Sequence, residues 1–166
     1  IYTLSLHDAL PIYQPQVFDK ARALGPRDWV LDSSAEATAV LDPTRVTEAW
    51  LELATNAVKY SPPGSPIRLG SLVAGDELLL RVEDRGIGIA PEDLPTIRRR
   101  LARAPQAAEM APGTGLGLSV VENIAAAHGG ALDVESAPGR GSIFTLRLPL
   151  GTPGARRAAN ESGGPP

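Results

Sequence analysis

The chain contains no cysteine, which excludes disulfides and any thiolate metal site. It has only two histidines, His7 and His128, far apart in sequence, so a histidine-based zinc site is not expected. No apolar run is long enough to cross a bilayer. The sequence therefore reads as a soluble piece, which leaves open a membrane segment in a longer parent protein. A formal net charge of -3 argues against a general binder of nucleic-acid polyanions. Two common phosphate signatures are missing as well. No G-x-x-x-x-G-K-[ST] occurs, and "GIGIAP" fails G-x-G-x-x-G at its last position. There is no internal repeat.

What is present bounds the answer. The 166 residues are 43% hydrophobic, enough for one core and a tail. The opening "IYTLSLHDALPI" resembles translated sequencing-adapter sequence joined to a truncated reading frame. Residues 1–14 are accordingly read as a non-native or disordered leader, 15–150 as one domain and 151–166 as a disordered tail.

Within the domain the hydrophobic period fixes most elements. "PQVFDKARAL" (15–24) reads as a short helix with Val17, Ala21 and Leu24 on one face, and "RDWVLD" (27–32) as a short strand. A long helix follows, with Asp42 as N-cap, Pro43 at the first helical position and Pro62–Pro63 as the stop. Val46, Trp50, Leu53 and Ala57 form its buried stripe. "PIRLGSLVA" alternates Ile67, Leu69, Ser71 and Val73, and "ELLLRVED" alternates again after a turn at "GD". Parity places Asp84 in line with Leu78, Leu80 and Val82, on the apolar face. A carboxylate there needs a specific donor. "APEDLPTIRRRLARA" can hold a short helix. "GLSVVENIAAAH" is a second clear helix closed by Gly129 and Gly130. "ALDVESA" and "GSIFTLRLPL" form a hairpin with Leu132, Val134, Phe144, Leu146 and Leu148 facing in. Hairpin-joined strands with intervening helices predict an α/β sandwich of the α+β kind: a mixed, mainly antiparallel sheet with helices on one face.

Three groups of residues can carry chemistry. Glu52, Asn56 and Lys59, spaced i, i+4, i+7, share a helix face beside the buried stripe. Their amide and carboxylate oxygens suit Mg2+, and the ammonium suits phosphate. An ordinary solvated helix edge has the same pattern. In "EDRGIGI", the inward Asp84 can accept from the exocyclic amine of adenine, with glycines that let backbone approach the base. A β-turn with Asp at its first position is the plain alternative. "GTGLGLS" runs glycines into a helix N-terminus, a phosphate cradle or else a flexible hinge.

Together the three are far more specific. "LELATNAVKYS" resembles the N box, "VEDRGIGIAPEDL" the G1 box, and "GTGLGLSVVENIAAAHGGALDVESAPGRGSIFTLRLP" the G2 box and closing strands of the ATP-binding catalytic domain of sensor histidine kinases. That domain is a branch of the Bergerat (GHKL) ATPase fold, and the resemblance covers roughly residues 15–150. It implies that Asn56 ligates Mg2+, with Glu52 acting through water or as a catalytic group. Lys59 would contact phosphate and Tyr60 would pack beside the adenine. Asp84 would recognise the adenine amine, with Gly86, Gly88 and Ile89 lining the base pocket. Gly113, Thr114, Gly115, Leu116, Gly117 and Leu118 would form the lid anchor over the phosphates. Arg100 and Arg103 fall where the family often has basic residues that meet phosphate.

The sequence departs from the family twice. Glu52 stands where many histidine kinases carry Asn, and in other Bergerat ATPases a Glu in E-x-x-x-N is the general base. Arg98 and Leu101 stand where an aromatic F box is usual, so the lid is expected to keep its charge and lose part of its packing anchor. The implied activity is donation of the ATP γ-phosphate to a His on a dimerisation hairpin not present here, with a response-regulator receiver domain downstream. The parent would be a homodimer, cytoplasmic in this part and open to anchoring in the inner membrane. Neither histidine is expected to be the acceptor. His128 closes a helix, and the prolines at 11, 15 and 26 leave His7 no room for a hairpin. The alternatives are a Bergerat ATPase with Glu52 as base, an anti-sigma-type serine kinase, and a degenerate nucleotide-binding module.

Overall fold

A computed structural model describes residues 3–5, 16–33, 35, 38–97 and 117–150. In chain order the elements are β1 (Thr3–Ser5), α1 (16–22), β2 (Asp28–Ser33), β3 (Thr38–Val40), α2 (Pro43–Tyr60), β4 (Pro66–Ala74), β5 (Glu77–Asp84), α3 (Leu94–Ile97), α4 (Gly117–Ala127), β6 (Ala131–Ala137) and β7 (Gly141–Pro149). The main sheet has five strands in the order β2-β4-β5-β7-β6. β2 and β4 are parallel and every other pair in that sheet is antiparallel, giving the mixed sheet that the hairpin pattern predicts. The parallel pair needs a long crossover, and α2 lies within it. β1 and β3 form a separate antiparallel pair that the sequence pattern does not announce.

α2 begins as its cap chemistry requires. Asp42 is extended, and its Oδ1 accepts from the N–H groups of Thr44 and Arg45 at 3.0 and 3.1 Å. Val46, Ala49, Trp50, Leu53, Ala54 and Ala57 are buried along one stripe. Ser61 returns the chain to extended backbone before Pro62 and Pro63. Gly129, two residues beyond the end of α4, has a φ of 73° and forms its left-handed cap.

The core lies between one face of the sheet and the helices. Leu78, Leu80, Val82 and Asp84 are all buried, and their odd-numbered neighbours are half-buried. On β7, Phe144, Leu146 and Leu148 face the same way, and Leu132 joins them from β6. Val134 is half-buried and packs against this core. Two expected core residues are exposed. Leu24 is 38% exposed, because α1 ends at 22 and the chain turns away before reaching it. Val73 is 39% exposed, because β2 stops pairing with β4 at Gly70 and leaves the strand end uncovered. The opposite sheet face is polar, with Arg147 bridging Glu77 and Asp133 at 3.1 and 3.0 Å.

Candidate functional site

The site begins where β5 ends. Period-two alternation carries Asp84 to the helix side of the sheet, 4% exposed. Its Oδ1 accepts the Gly86 N–H at 2.7 Å. Removal from water pushes its carboxyl up to about 6. Hydrogen bonds from the Gly86 and Ser142 backbones act against that rise, and the neighbouring Glu83 adds to it.

The loop after Asp84 is fastened on two sides. On one side the Ile87 N–H donates to the Tyr60 carbonyl at 3.1 Å. Gly86 lies so close to that carbonyl that any Cβ would collide with it. On the other side Gly88, at φ 69°, packs on the Ala137 carbonyl with no room for a side chain. The Gly139 N–H donates to the Ile87 carbonyl at 2.7 Å, and the Ile89 N–H donates to Ser136 Oγ at 2.8 Å. Ser136 in turn donates to the Gly141 carbonyl at 2.9 Å. Its contact with Ser142 Oγ at 2.9 Å is therefore supplied by the Ser142 proton. That leaves the Ser142 oxygen as an acceptor beside Asp84, its cross-strand partner.

Ser136 and Ser142 are not among the residues expected from the sequence. The signal is there, because both share the parity of core residues on their strands, as Asp84 does. A polar group on an apolar face needs a partner.

The second cluster lies further back on α2. Glu52, Asn56 and Lys59 are half-buried beside the apolar stripe, as their spacing predicts. At the first turn of α4, Gly117 packs against the Glu52 carboxylate, where a Cβ would collide with Oε1. Leu118 packs against the core next to it. From Glu52 to Tyr60 the helix rises about 12 Å at 1.5 Å per residue. α2 thus joins the two clusters: the Tyr60 carbonyl at its end holds the loop after Asp84, and Lys59, Asn56 and Glu52 follow back along the helix. Arg98, Arg100, Leu101, Arg103, Gly113, Thr114, Gly115 and Leu116 lie outside the described residues, as does His7.

Among the described residues no group of three or more His, Cys, Asp or Glu side chains converges on a point. The oxygens of Glu52 and Asn56 nevertheless fit an ion that takes few protein ligands and shares the rest with phosphates and water. A concavity of about 700 Å³ lies at the same end of the sheet, lined by Asp84, Ser136 and Ser142 together with Glu83, Arg85 and Arg140 among others. No residue of α2 or α4 contributes to it, so it is not the space between helices and sheet. His128 holds structure. Its Nδ1 donates to the Ile124 carbonyl at 2.7 Å, and its Nε2 accepts the Asp42 N–H at 2.9 Å. Both ring nitrogens are thereby occupied. Among the described residues no helix is long and apolar enough to cross a membrane.

Comparison with known proteins agrees with this geometry. Residues 41–152 match the family model described as histidine kinase-, DNA gyrase B-, and HSP90-like ATPase. The chain is 41% identical over 119 residues to the sensor-like histidine kinase SenX3 of Mycobacterium tuberculosis, covering 71% of this chain and 29% of the relative. It is 38% identical over 135 residues to the signal transduction histidine-protein kinase AfsQ2 of Streptomyces coelicolor, covering 81% of this chain and 24% of the relative. The chain thus spans less than a third of the length of these relatives. Among solved structures, the mycobacterial sensor histidine kinase MprB superposes with a TM-score of 0.69 at 26% identity, covering 82% of this chain and 93% of that one. The catalytic domain of histidine kinase ThkA shares the fold, with a TM-score of 0.71 at 22% identity over 90% of this chain and 97% of that one. The chain belongs to the histidine kinase-, DNA gyrase B- and HSP90-like ATPase family.

Proposed function

We propose that this chain is the ATP-binding catalytic domain of a sensor histidine kinase. It would present the γ-phosphate of ATP to a His on a separate dimerisation hairpin, in a homodimeric parent that signals to a response-regulator receiver domain. The observation that carries the reading is the buried Asp84 beside a glycine loop that is clamped between α2 and the β6–β7 hairpin. The names of the relatives support the kinase over a free ATPase or a serine kinase.

The roles follow from chemistry. Asp84 accepts from the adenine amine, and the Ser142 oxygen offers a second acceptor beside it. Gly86, Gly88 and Ile89 bring backbone to the base, and Tyr60 flanks it. Lys59 supplies a point charge to phosphate. Asn56 would hold Mg2+, with Glu52 in its water shell; bound there, the ion would neutralise charge on the phosphates. Gly117 and Leu118 hold the near end of the lid. Gly113, Thr114, Gly115 and Leu116 would cover the phosphates, and Arg100 and Arg103 would add positive charge. Phosphoryl transfer asks for positioning and charge neutralisation more than for covalent chemistry by the protein. The acceptor imidazole attacks the γ-phosphorus in line, the bond to the bridging oxygen breaks, and ADP leaves.

The test supplies labelled Mg-ATP together with a His-bearing helical hairpin in trans. Acid-labile label on the hairpin, lost with Asp84→Asn, is the expected result. Release of inorganic phosphate at an equal rate with and without the hairpin would count against the kinase reading.

A further inference from the structure

Arg27 enters β2 far in sequence from every residue assigned to the site. Its guanidinium is spent on the end of α2. Nη2 donates to the Val58 carbonyl at 2.6 Å and to the Ser61 carbonyl at 3.0 Å. Nε donates to Ser61 Oγ at 3.2 Å, and Nη1 donates to the Pro26 carbonyl at 3.0 Å. Ser61 Oγ in turn donates to the Ala57 carbonyl at 2.6 Å.

The last turn of a helix leaves carbonyls without intrahelical partners, and it carries partial negative charge. Here Val58 and Ser61 are served by one fixed cation. The carbonyl between them, that of Tyr60, is the acceptor for the Ile87 N–H, with Gly86 packed against it. The order of contact is therefore Arg27, the α2 terminus, the Tyr60 carbonyl, the Gly86–Ile87 loop and Asp84. Arg27 is the one charged side chain in this succession that comes from outside both α2 and β5.

Resting on the nucleotide-site reading above, we infer that Arg27 is a positioning residue for the base pocket. It fixes the α2 terminus, so that the Tyr60 carbonyl holds the Gly86–Ile87 loop in the shape that receives adenine. A planar fork with several donors suits this task, because it restrains two carbonyls and a hydroxyl at once. A lysine has one compact ammonium and restrains them less well.

The experiment uses the full chain with Arg27→Ala, Arg27→Lys and, as a control, Arg147→Ala, which removes ion pairs on the open sheet face away from α2. ATP affinity is measured by calorimetry with Mg2+ present, and amide hydrogen exchange is read at Ile87 and at Leu80 in the middle of β5. Arg27→Ala is expected to weaken ATP binding about tenfold and to speed Ile87 exchange by a similar factor, while Leu80 stays protected. Arg27→Lys is expected to fall between, and Arg147→Ala to change neither. Equal acceleration at Ile87 and Leu80 would reduce Arg27 to a general stabiliser and overturn the inference. So would wild-type affinity and Ile87 protection in Arg27→Lys, the variant to rely on should Arg27→Ala not fold. The underlying site reading fails separately, if the unaltered chain does not bind ATP or if Asp84→Asn binds it equally well.

Discussion

Glu52 and Gly117 are in contact: the carboxylate on α2 rests against the first residue of α4, so close that an added Cβ would have to push it aside. The contact joins the two sequence boxes that are expected to share the phosphates. Gly117→Ala should disturb both partners at once. Because the atom that an added Cβ meets is the end of a flexible side chain, the carboxylate can swing aside, so the expected stability cost is below about 1 kcal/mol and the larger effect is weaker ATP binding. Truncating Glu52 to Ala in the same chain should restore part of the stability. A double-mutant cycle in urea that returns simple additivity would show that the contact has no energetic consequence.

Asp84→Asn should separate stability from binding. The buried carboxylate titrates at about 6, against an ordinary value of 3.8, chiefly because burial penalises its charge. That difference corresponds to about 3 kcal/mol at neutral pH. Asn keeps an oxygen for the Gly86 N–H and removes the charge, and its amide weakens the bond from the Ser142 backbone, which offsets part of the gain. The variant should therefore be more stable than the wild type without nucleotide, by about 1–3 kcal/mol, and should lose ATP affinity. Calorimetric titration alongside chemical unfolding checks both halves.

The same group sets a pH dependence of definite sign. Its folded value lies above its unfolded value, so between about 4 and 6 the folded state binds more protons. The stabilisation is complete below about 4 and is lost as pH rises through about 6. Wild type and Asp84→Asn should accordingly differ little in stability near about pH 4 and diverge by about pH 7.5. A gap that is constant across this range would refute the assignment.

Gly88→Ala should be worse than Gly86→Ala for folding. Gly88 combines a φ of 69° with a contact on the Ala137 carbonyl, so backbone conformation and packing both reject a side chain. Gly86 has only the close contact with the Tyr60 carbonyl and Asp84. A larger loss of thermal stability at Gly88, with loss of ATP binding in both variants, is the expected order.

His128→Ala should loosen the start of α2 rather than the pocket. It removes one acceptor from the Asp42 N–H and one donor from the Ile124 carbonyl. A loss of about 1–2 kcal/mol is expected, with ATP affinity kept within about twofold. Nitrogen NMR of the wild type should show the Nδ1–H tautomer, since only that form serves both partners.

Much of this molecule is legible in the chain itself. Asp42 and Pro43 announce the start of α2, and Pro62–Pro63 its end. Strand parity alone puts Asp84 on the buried face. Parity marks Ser136 and Ser142 in the same way, because alternation does not distinguish a hydroxyl from a carboxylate. Periodicity misplaces Leu24 and Val73, since a period gives the face of an element and not where that element stops being covered. The lid residues Arg100, Arg103 and Gly113 to Leu116 lie outside the described residues.

Periodicity, caps and turn residues act over a few neighbours, so the chain alone gives most of the local elements, the face of most residues and the family of the site, but not the β1–β3 pair or the exposure of Leu24 and Val73. Which distant atoms meet depends on how the whole chain packs. That packing set β2 beside β4 in parallel, brought Arg27 to the carbonyls of Val58 and Ser61, and laid Gly117 on Glu52. It also turned His128 toward the Asp42 N–H, 86 residues away. Such contacts follow from how helices and sheet share one core, and no local pattern encodes the partner. The same is true of the carboxyl value of Asp84, which depends on how completely its neighbours exclude water.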